Sequence, residues 1–276
     1  GSDIDGEAAY NSFGCSVSLT PDGSIMAIGA RQNDGNGTDS GHVRVYQYDG
    51  TDWQQLGSDI DGEAAGDEFG VSAALSADGN IVAIGAWKND GINGADSGHV
   101  RVFKYDGANW QQLGDDIDGE AAGDASGLRV SLSADGNIVA IGAWQNDGNG
   151  TDSGHVRVYQ YDGASWQQLG SDIDGEAAGD RAGFPVEISP SGNIMAIGAR
   201  FNDGNGTDSG HMRIYQYDGA SWQQLGSDID GEAAGDWSGC EVSLSADGNI
   251  VAIGAKLNDG INGTDSGHVR VYQLTP

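Results

Sequence analysis

The sequence predicts an all-β protein, a five-bladed β-propeller with four antiparallel strands in each blade. Three observations lead to this prediction. A segment of about 56 residues is written five times with few changes, at residues 1–56, 57–113, 114–169, 170–225 and 226–276. Every copy contains short runs rich in β-branched residues, punctuated by Gly, Asn and Asp, and none has a helical period. Repeats of this length are typical of propeller blades or solenoid units.

The second copy shows how the four strands are predicted. They are the segments "GVSAALS", "IVAIGA", "HVRVFKY" and "WQQLGSDI", at residues 70–76, 81–86, 99–105 and 110–117. The segments between them, such as "ADGN" and "DGEAAGD", are rich in turn-forming residues. We predict that all five copies form one domain, residues 1–276.

The ends of the chain favour a ring over a solenoid, whose coils are usually shorter, roughly 20–45 residues. Residues 1–4 match the end of a fourth strand, and the chain stops soon after a third strand. We therefore expect the outer strand of the last blade to be incomplete, or to be closed by the N-terminus. We also expect a monomeric domain of a longer chain.

The charge of the chain excludes several classes of partner. Twelve basic residues stand against 42 acidic ones, which gives a formal net charge of −30. Phosphate binding needs clustered Lys and Arg, so we expect no nucleic-acid partner. No apolar run is long enough to span a bilayer, so we expect no membrane insertion. The acidity fits a protein in cation-rich extracellular surroundings.

Short motifs along each copy resemble the FG-GAP repeat of integrin α-subunit propellers. The resemblance is carried by "FG" at Phe13 and Phe69, by "IGA" on the second strand and by "GHVRVY" on the third. It is similar to blades of extracellular repeat proteins from marine bacteria and algae. The Pro of "GAP" is absent, and the family's calcium loop is reduced here to "ADGN", so those ligands do not carry over. The resemblance implies adhesion or ligand binding at an extracellular or cell-surface location.

The copies differ from one another at few positions, directly around the Gly that opens strand one and directly after "IGA". Both places fall on the same face of a blade, which is strongly acidic and which we name the top. Trp, Phe, Arg and Lys are frequent there, and aromatic and Arg side chains dominate binding hot spots; random drift would favour small polar residues. The predicted ligand-binding residues are Arg31, Trp87, Lys88, Arg129, Trp144, Arg181, Phe184, Arg200, Phe201, Trp237, Glu241 and Lys256.

These positions predict a non-catalytic extracellular adhesion module that binds a protein or peptide ligand on the acidic top face. Lectin-type binding of a glycan on the same face is the alternative, with the variable aromatic rings stacking on sugars. An enzyme is not expected. The unrepeated Glu187 and Glu241 would suit a glycoside hydrolase, which needs two carboxylates, and this is the remote alternative.

Calcium is the one cofactor that the sequence suggests. The loop "NDGNGTDSG" offers alternating oxygen ligands of the kind that calcium takes. The predicted ligands are Asp34, Asn36, Asp39, Asp147, Asn149, Asp152, Asp203, Asn205 and Asp208. In copies two and five the inserted Ile92 and Ile261 break the spacing, and Asn-Gly is itself turn chemistry.

Three further residue types recur at fixed places. A repeated His in "DSGH" could bind metal, but a structural hydrogen bond to a nearby Asp is the favoured interpretation. The Arg of each third strand should pair with a carboxylate of "DIDGE". The two Cys, Cys15 and Cys240, occupy the same repeat position in the first and last copies. They are candidates for a disulfide that closes the ring, with small buried thiols as the alternative.

Overall fold

The computed structural model describes residues 1–274, and these fall into two compact units. Unit 1 contains Gly1–Asn137 and Tyr161–Gln167, and unit 2 contains Ile138–Gln160 and the chain from Gln168 onward. Regular structure in the described part is entirely β. Residues 1–274 thus contain no helix of the length and apolarity needed to cross a membrane.

The described residues form 23 strand segments that repeat one order along the chain. They are β1 (Phe13–Leu19), β2 (Ile25–Ala30), β3 (His42–Tyr48), β4 (Trp53–Gln55), β5 (Ile60–Asp61), β6 (Ser72–Leu75), β7 (Ile81–Ala86), β8 (His99–Tyr105), β9 (Trp110–Gln112), β10 (Ile117–Asp118), β11 (Ser126–Leu132), β12 (Ile138–Ala143), β13 (His155–Tyr161), β14 (Trp166–Gln168), β15 (Ile173–Asp174), β16 (Val186–Ile188), β17 (Ile194–Ala199), β18 (His211–Tyr217), β19 (Trp222–Gln224), β20 (Ile229–Asp230), β21 (Ser238–Leu244), β22 (Ile250–Ala255) and β23 (His268–Gln273).

Five antiparallel sheets of one repeated pattern result, so the predicted all-β, propeller-like architecture is confirmed. In unit 1 the first sheet has the order β1-β2-β3-β4, and β5 also pairs with β3. In unit 2 the fourth sheet has the order β16-β17-β18-β19, and β20 also pairs with β18. In the first four sheets the fourth strand is therefore two segments rather than the continuous strand predicted at 110–117. The break follows Leu113, whose N–H still donates to the Val102 carbonyl at 2.7 Å.

The last sheet has three strands, β21-β22-β23, so its predicted incomplete outer strand is confirmed. The alternative, closure by the N-terminus, stays a prediction. Ser2 lies in unit 1, where its backbone N–H and hydroxyl donate to the two carboxylate oxygens of Asp52 at 2.9 and 3.2 Å. These bonds hold the N-terminus against the turn before β4 of the first sheet.

Adjacent sheets within a unit pack through apolar faces. In unit 1 a core cluster joins Val43 and Val45 of β3 to Val82 and Ile84 of β7. The Gly of "IGA" permits this packing, because a Cβ on Gly85 would overlap the carbonyl oxygen of Gly127 on β11. In unit 2 a corresponding cluster joins Met212 and Ile214 of β18 to Val251 and Ile253 of β22.

The first and last sheets each leave one apolar face open to solvent. Val17 on β1 is 58% exposed, whereas its repeat equivalent Val130 is 8% exposed. Val271 on β23 is 64% exposed, whereas its equivalent Val45 is 1% exposed. Closure into a ring of exactly five blades, and with it the single domain 1–276, stays a prediction.

Candidate functional site

The variable positions of each copy meet at one edge of its sheet. Strand one of a sheet begins where strand two ends, because the two are antiparallel. In the last sheet, for example, Ser238 at the start of β21 is opposite Ala255 at the end of β22. Trp237 and Lys256, which directly precede and follow these two residues, therefore lie close together.

In unit 2 the variable residues form one continuous stack of aromatic rings and cations, which we name the aromatic–cationic cluster. Its members are Trp144, Arg181, Phe184, Arg200, Phe201, Trp237 and Lys256. The Lys256 ammonium lies 4.7 Å from the centre of the Trp237 ring, and the Arg200 guanidinium lies 5.6 Å from the same ring. Arg200 also lies 4.5 Å from the Phe184 ring and 4.8 Å from that of Phe201.

The other end of the cluster is held by Arg181. Its guanidinium lies 4.6 Å from the Trp144 ring and 5.3 Å from the Phe201 ring. Ring-to-ring contacts add to the stack, at 5.2 Å between Phe201 and Trp237 and 6.1 Å between Trp144 and Phe184. The indole N–H of Trp144 is buried without a hydrogen-bond partner among the described residues. The cluster thus offers aromatic faces, positive charge and an unused donor at one place.

In unit 1 the variable residues converge on a carboxylate that the sequence prediction omitted. Glu68 accepts hydrogen bonds from the Trp87 indole at 3.0 Å and the Lys88 ammonium at 2.7 Å. Arg31 lies 3.3 Å from the same carboxylate. The available signal was that Glu68 is the only acidic residue at its position in the five copies.

The variable residue that lies two positions before the Gly that opens strand one has an unusual backbone conformation. Glu68, Arg181 and Trp237 have φ angles of 51°, 56° and 54°, in the left-handed region. A non-Gly side chain there costs about 1–2 kcal/mol relative to ordinary conformations. Gly or Asn would relieve this strain, so the presence of large charged and aromatic side chains favours a function for them over drift.

Two carboxylates and one guanidinium among the variable residues lie on the inner strands. Arg129 is half-buried on β11, and Glu241 is exposed on β21 opposite Gly254. Glu187 is half-buried on β16, where burial raises the pKa of its carboxyl. The backbone N–H of Leu244 donates to it and opposes that rise. Burial also raises the pKa of Asp174 in unit 2, so Glu187 is one of two carboxyl groups there with increased proton affinity.

The loops predicted to bind calcium use their polar groups internally. Asp34 accepts the backbone N–H of Asp39 at 2.9 Å, and Asp147 and Asp203 accept those of Asp152 and Asp208 at the same distance. The amide nitrogen of Asn36 donates to the carbonyls of Gly62 and Glu63, and Asn149 and Asn205 make corresponding bonds. Each loop is thus closed by its own hydrogen bonds, and calcium there stays a prediction.

Groups that could hold a metal lie instead around the repeated His. Three of them have all their residues within one unit, and each combines a Glu, a His and an Asp: Glu7, His42 and Asp59; Glu63, His99 and Asp116; and Glu176, His211 and Asp228. We name these the Glu–His–Asp groups. Sequence reasoning gave the His a structural role and expected no metal triad, because the three residues are far apart in the sequence.

The repeated Arg of strand three is partnered as expected. Arg101 lies 3.5 Å from the Glu63 carboxylate and donates to the Asp61 carbonyl at 2.8 Å. Arg213 lies 3.8 Å from Glu176 and donates to the Asp174 carbonyl at 2.9 Å. These contacts fix the "DIDGE" segment, which pairs with one sheet, to the third strand of the next sheet.

The predicted disulfide is not formed, since Cys15 and Cys240 are free thiols. Each sulfur instead lies within hydrogen-bond distance of a backbone carbonyl oxygen. The Cys15 thiol lies 3.4 Å from the Gly70 carbonyl, and the Cys240 thiol lies 3.4 Å from the Gly254 carbonyl. Cys240 is buried and Cys15 is exposed, so the alternative prediction of two small buried thiols holds for Cys240 alone.

This combination of repeated sheets and motifs identifies the class of protein. Residues 4–46 and 59–103 match the family model described as the FG-GAP repeat, and the predicted resemblance is confirmed. These two segments are FG-GAP repeats. A search of the curated proteins found no match.

Solved structures of similar fold include sugar lactonases. One is described as a 6-phosphogluconolactonase from Bacteroides uniformis, with a TM-score of 0.63 and 14% identity over 95% of this chain and 68% of that one. Another is the periplasmic gluconolactonase of Pseudomonas aeruginosa, with a TM-score of 0.56 and 18% identity over 86% and 64%. A third is the hydrazine synthase of Kuenenia stuttgartiensis, with a TM-score of 0.53 and 14% identity over 87% and 61%. The chain spans about two thirds of the length of these structures.

The lactonases overturn two predictions. The protein was expected to be a non-catalytic adhesion module, and an enzyme was not expected, but its fold is similar to that of two lactonases. The sequence argument against an enzyme rested on the lack of a recognisable nucleophile–base set or metal triad beside the unrepeated Glu187 and Glu241. An active site on a repeat scaffold needs each of its residues only once, so residues that differ between the copies can supply it.

Proposed function

We propose that the protein is a hydrolase of negatively charged, sugar-like lactones, with its substrate bound on the aromatic–cationic cluster of unit 2. The observation that carries the proposal is the unbroken stack from Lys256 through Arg200 to Arg181 and Trp144. The likeness to lactonases supports the reaction class, and the composition of the cluster supports the substrate class.

The cluster has the parts that such a substrate needs. Aromatic faces such as that of Trp237 bind the apolar faces of sugar rings. Arg and Lys form charge-assisted hydrogen bonds to a phosphate or carboxylate. The same cations stabilise the oxyanion that develops when water adds to the lactone carbonyl.

Glu187 is our candidate for the general base. Its carboxylate would take a proton from water as the water oxygen attacks the carbonyl carbon. The ring C–O bond of the resulting tetrahedral intermediate then breaks, and the proton passes to the departing ring oxygen. One water is consumed and one hydroxy acid is formed, with no change of oxidation state.

Acid release from a lactone tests this proposal. Purified protein is added to 6-phosphogluconolactone or gluconolactone, and base uptake at constant pH is recorded after subtraction of the spontaneous rate. We expect catalysis of the phosphorylated lactone, and at least about a tenfold lower kcat/KM for Arg200→Ala and Lys256→Ala, the loss of one charged contact. Lys104→Ala, which removes an exposed cation on β8, is the control. Failure of the native protein to exceed the spontaneous rate with either lactone would refute the proposal.

For the architecture we propose a closed ring of five blades. The exposed apolar faces that carry Val17 in unit 1 and Val271 in unit 2 support it. Both faces are the counterparts of surfaces that are buried between adjacent sheets elsewhere in the chain. Closure would remove both from water.

A further inference from the structure

Each Glu–His–Asp group has a buried imidazole below two carboxylates. The side chains of His42, His99 and His211 are 1% exposed. Their Glu partners are about half exposed, and their Asp partners about one third. An ion from solvent can therefore reach the carboxylates first and the imidazole behind them.

The separations are too long for good hydrogen bonds. The Nδ1 atom of His211 lies 3.6 Å from Glu176 Oε2 and 3.9 Å from Asp228 Oδ2. It has no hydrogen-bond partner among the described residues. The same atom of His99 lies 4.0 and 3.9 Å from Glu63 and Asp116. A buried polar atom that faces two carboxylates without bonding to either indicates that something belongs between them.

The gap has the size of a metal ion. Ligand atoms on one Zn²⁺ lie about 3.0–3.5 Å apart, because its bonds to nitrogen and oxygen are about 2.0–2.2 Å long. In each group all three ligand atoms lie within 4.8 Å of one another. Exposed carboxylates can close the remaining distance by small rotations of their side chains.

Two neighbouring Arg side chains orient the Glu carboxylates of these groups. Arg101 lies beside Glu63 Oε1 and Arg213 beside Glu176 Oε1. In each Glu this orients the carboxylate and leaves Oε2 directed at the His, an outer-shell arrangement typical of metal sites.

We propose that each complete Glu–His–Asp group binds one divalent transition-metal ion of the Zn²⁺ type through His Nδ1, Glu Oε2 and an Asp carboxylate oxygen. One nitrogen and two oxygens suit such ions, whereas Ca²⁺ prefers six to eight oxygens. Three protein ligands leave room for water or an external ligand. The proposal does not depend on lactone hydrolysis.

The fifth repeat provides a natural control. His268 lies 3.6 Å from Glu232, as in the complete groups. Within residues 1–274 no Asp joins this pair to complete a metal-binding group. In the third repeat Glu120, His155 and Asp172 occupy the corresponding sequence positions.

Binding of Co²⁺ to untagged, metal-free full chain tests the proposal, because Co²⁺ substitutes for Zn²⁺ and reports its ligands by visible absorption. Asp116→Asn and Asp228→Asn are the main variants, since the Oδ1 atoms of Asp116 and Asp228 accept side-chain bonds from Gln112 and Gln224 that Asn retains. His99→Gln and His211→Gln follow, with His268→Gln as the control. Folding of each variant is checked by its melting temperature.

We expect saturable Co²⁺ binding that Zn²⁺ displaces and that excess Ca²⁺ does not. Each Asp or His substitution in a complete group should remove one equivalent of Co²⁺, and His268→Gln should remove none. Absence of saturable binding would overturn the proposal. So would displacement by Ca²⁺ in proportion to its concentration, or equal stoichiometry in the native protein and the folded Asp116→Asn and Asp228→Asn variants.

Discussion

The indole N–H of Trp110 donates a hydrogen bond to the carbonyl oxygen of Leu56 at 2.8 Å. Trp110 begins the fourth strand of the second sheet, and Leu56 follows the fourth strand of the first. The bond recurs from Trp166 to Leu113 at 2.7 Å and from Trp222 to Leu169 at 2.9 Å. It therefore ties the second, third and fourth sheets each to the preceding one at the outer rim, which gives the Trp at these three positions a structural role.

Trp110→Phe should lower the free energy of unfolding by about 1–2 kcal/mol, because it leaves the Leu56 carbonyl without this donor. The matched control is Trp53→Phe, since Trp53 makes no such bond within residues 1–274. Denaturant unfolding of both variants checks the prediction. Equal losses at the two positions would contradict it.

Gly85→Ala should destabilise the protein by about 1–3 kcal/mol or more, because the added methyl group would overlap the Gly127 carbonyl. Gly254→Ala at the same repeat position, where the nearest atom lies 3.6 Å away, should be tolerated unless closure of the ring covers that glycine. Melting temperatures of the native protein and the two variants give the comparison. A Gly85→Ala protein as stable as the native protein would show that the inner strands do not pack so closely.

Val17→Asp tests closure of the ring. If the face of β1 is covered in solution, a charge there is buried and unfolding becomes easier by several kcal/mol; this is the result we expect. Val130→Asp, at a buried equivalent position, gives the reference loss. A Val17→Asp protein with native stability would instead mean that this face is in water.

Glu187→Gln should reduce lactone kcat/KM by about 10²–10⁴-fold, the usual contribution of a general base, while leaving the fold intact. Gln keeps an oxygen that can accept the Leu244 N–H. Because burial raises the pKa of Glu187, native activity should rise with pH through a value above that of an ordinary carboxyl group. Glu241→Gln is the control. A native pH profile and rate in the Glu187→Gln protein would exclude Glu187 as the base.

Asp106 should stabilise the fold above acidic pH. Hydrogen bonds from the backbone N–H groups of Asn109 and Ala108 lower the pKa of its carboxyl. Since the folded pKa lies below the unfolded one, the stabilisation is complete above the unfolded value and is lost as pH falls through the folded value. Asp106→Asn should therefore show a weaker loss of stability between about pH 5 and pH 2. Melting curves across that range check it, and identical acid dependence in the two proteins would disprove the role.

Much of the fold could be predicted from the sequence because the second and third strands depend on local patterns. The segments "IVAIGA" and "HVRVFKY" alternate or run apolar between turns, and β7 and β8 have the predicted bounds. The fourth strand was less predictable. Its break after Leu113 is set by the outer rim of the sheet, where β9 and β10 each pair separately with β8.

By itself, the sequence determined the repeat, the all-β class and the positions at which the copies differ, since each of these is a property of neighbouring residues. Only the tertiary structure decided which of the differing residues meet. Arg200 contacts Phe184 and Trp237, and Glu68 gathers Trp87 and Lys88, because antiparallel pairing brings the start of one strand to the end of the next. The Glu–His–Asp groups were hidden for the same reason. Their three ligands come from separate segments, and only the packing of one sheet edge against another places the carboxylates over the imidazole.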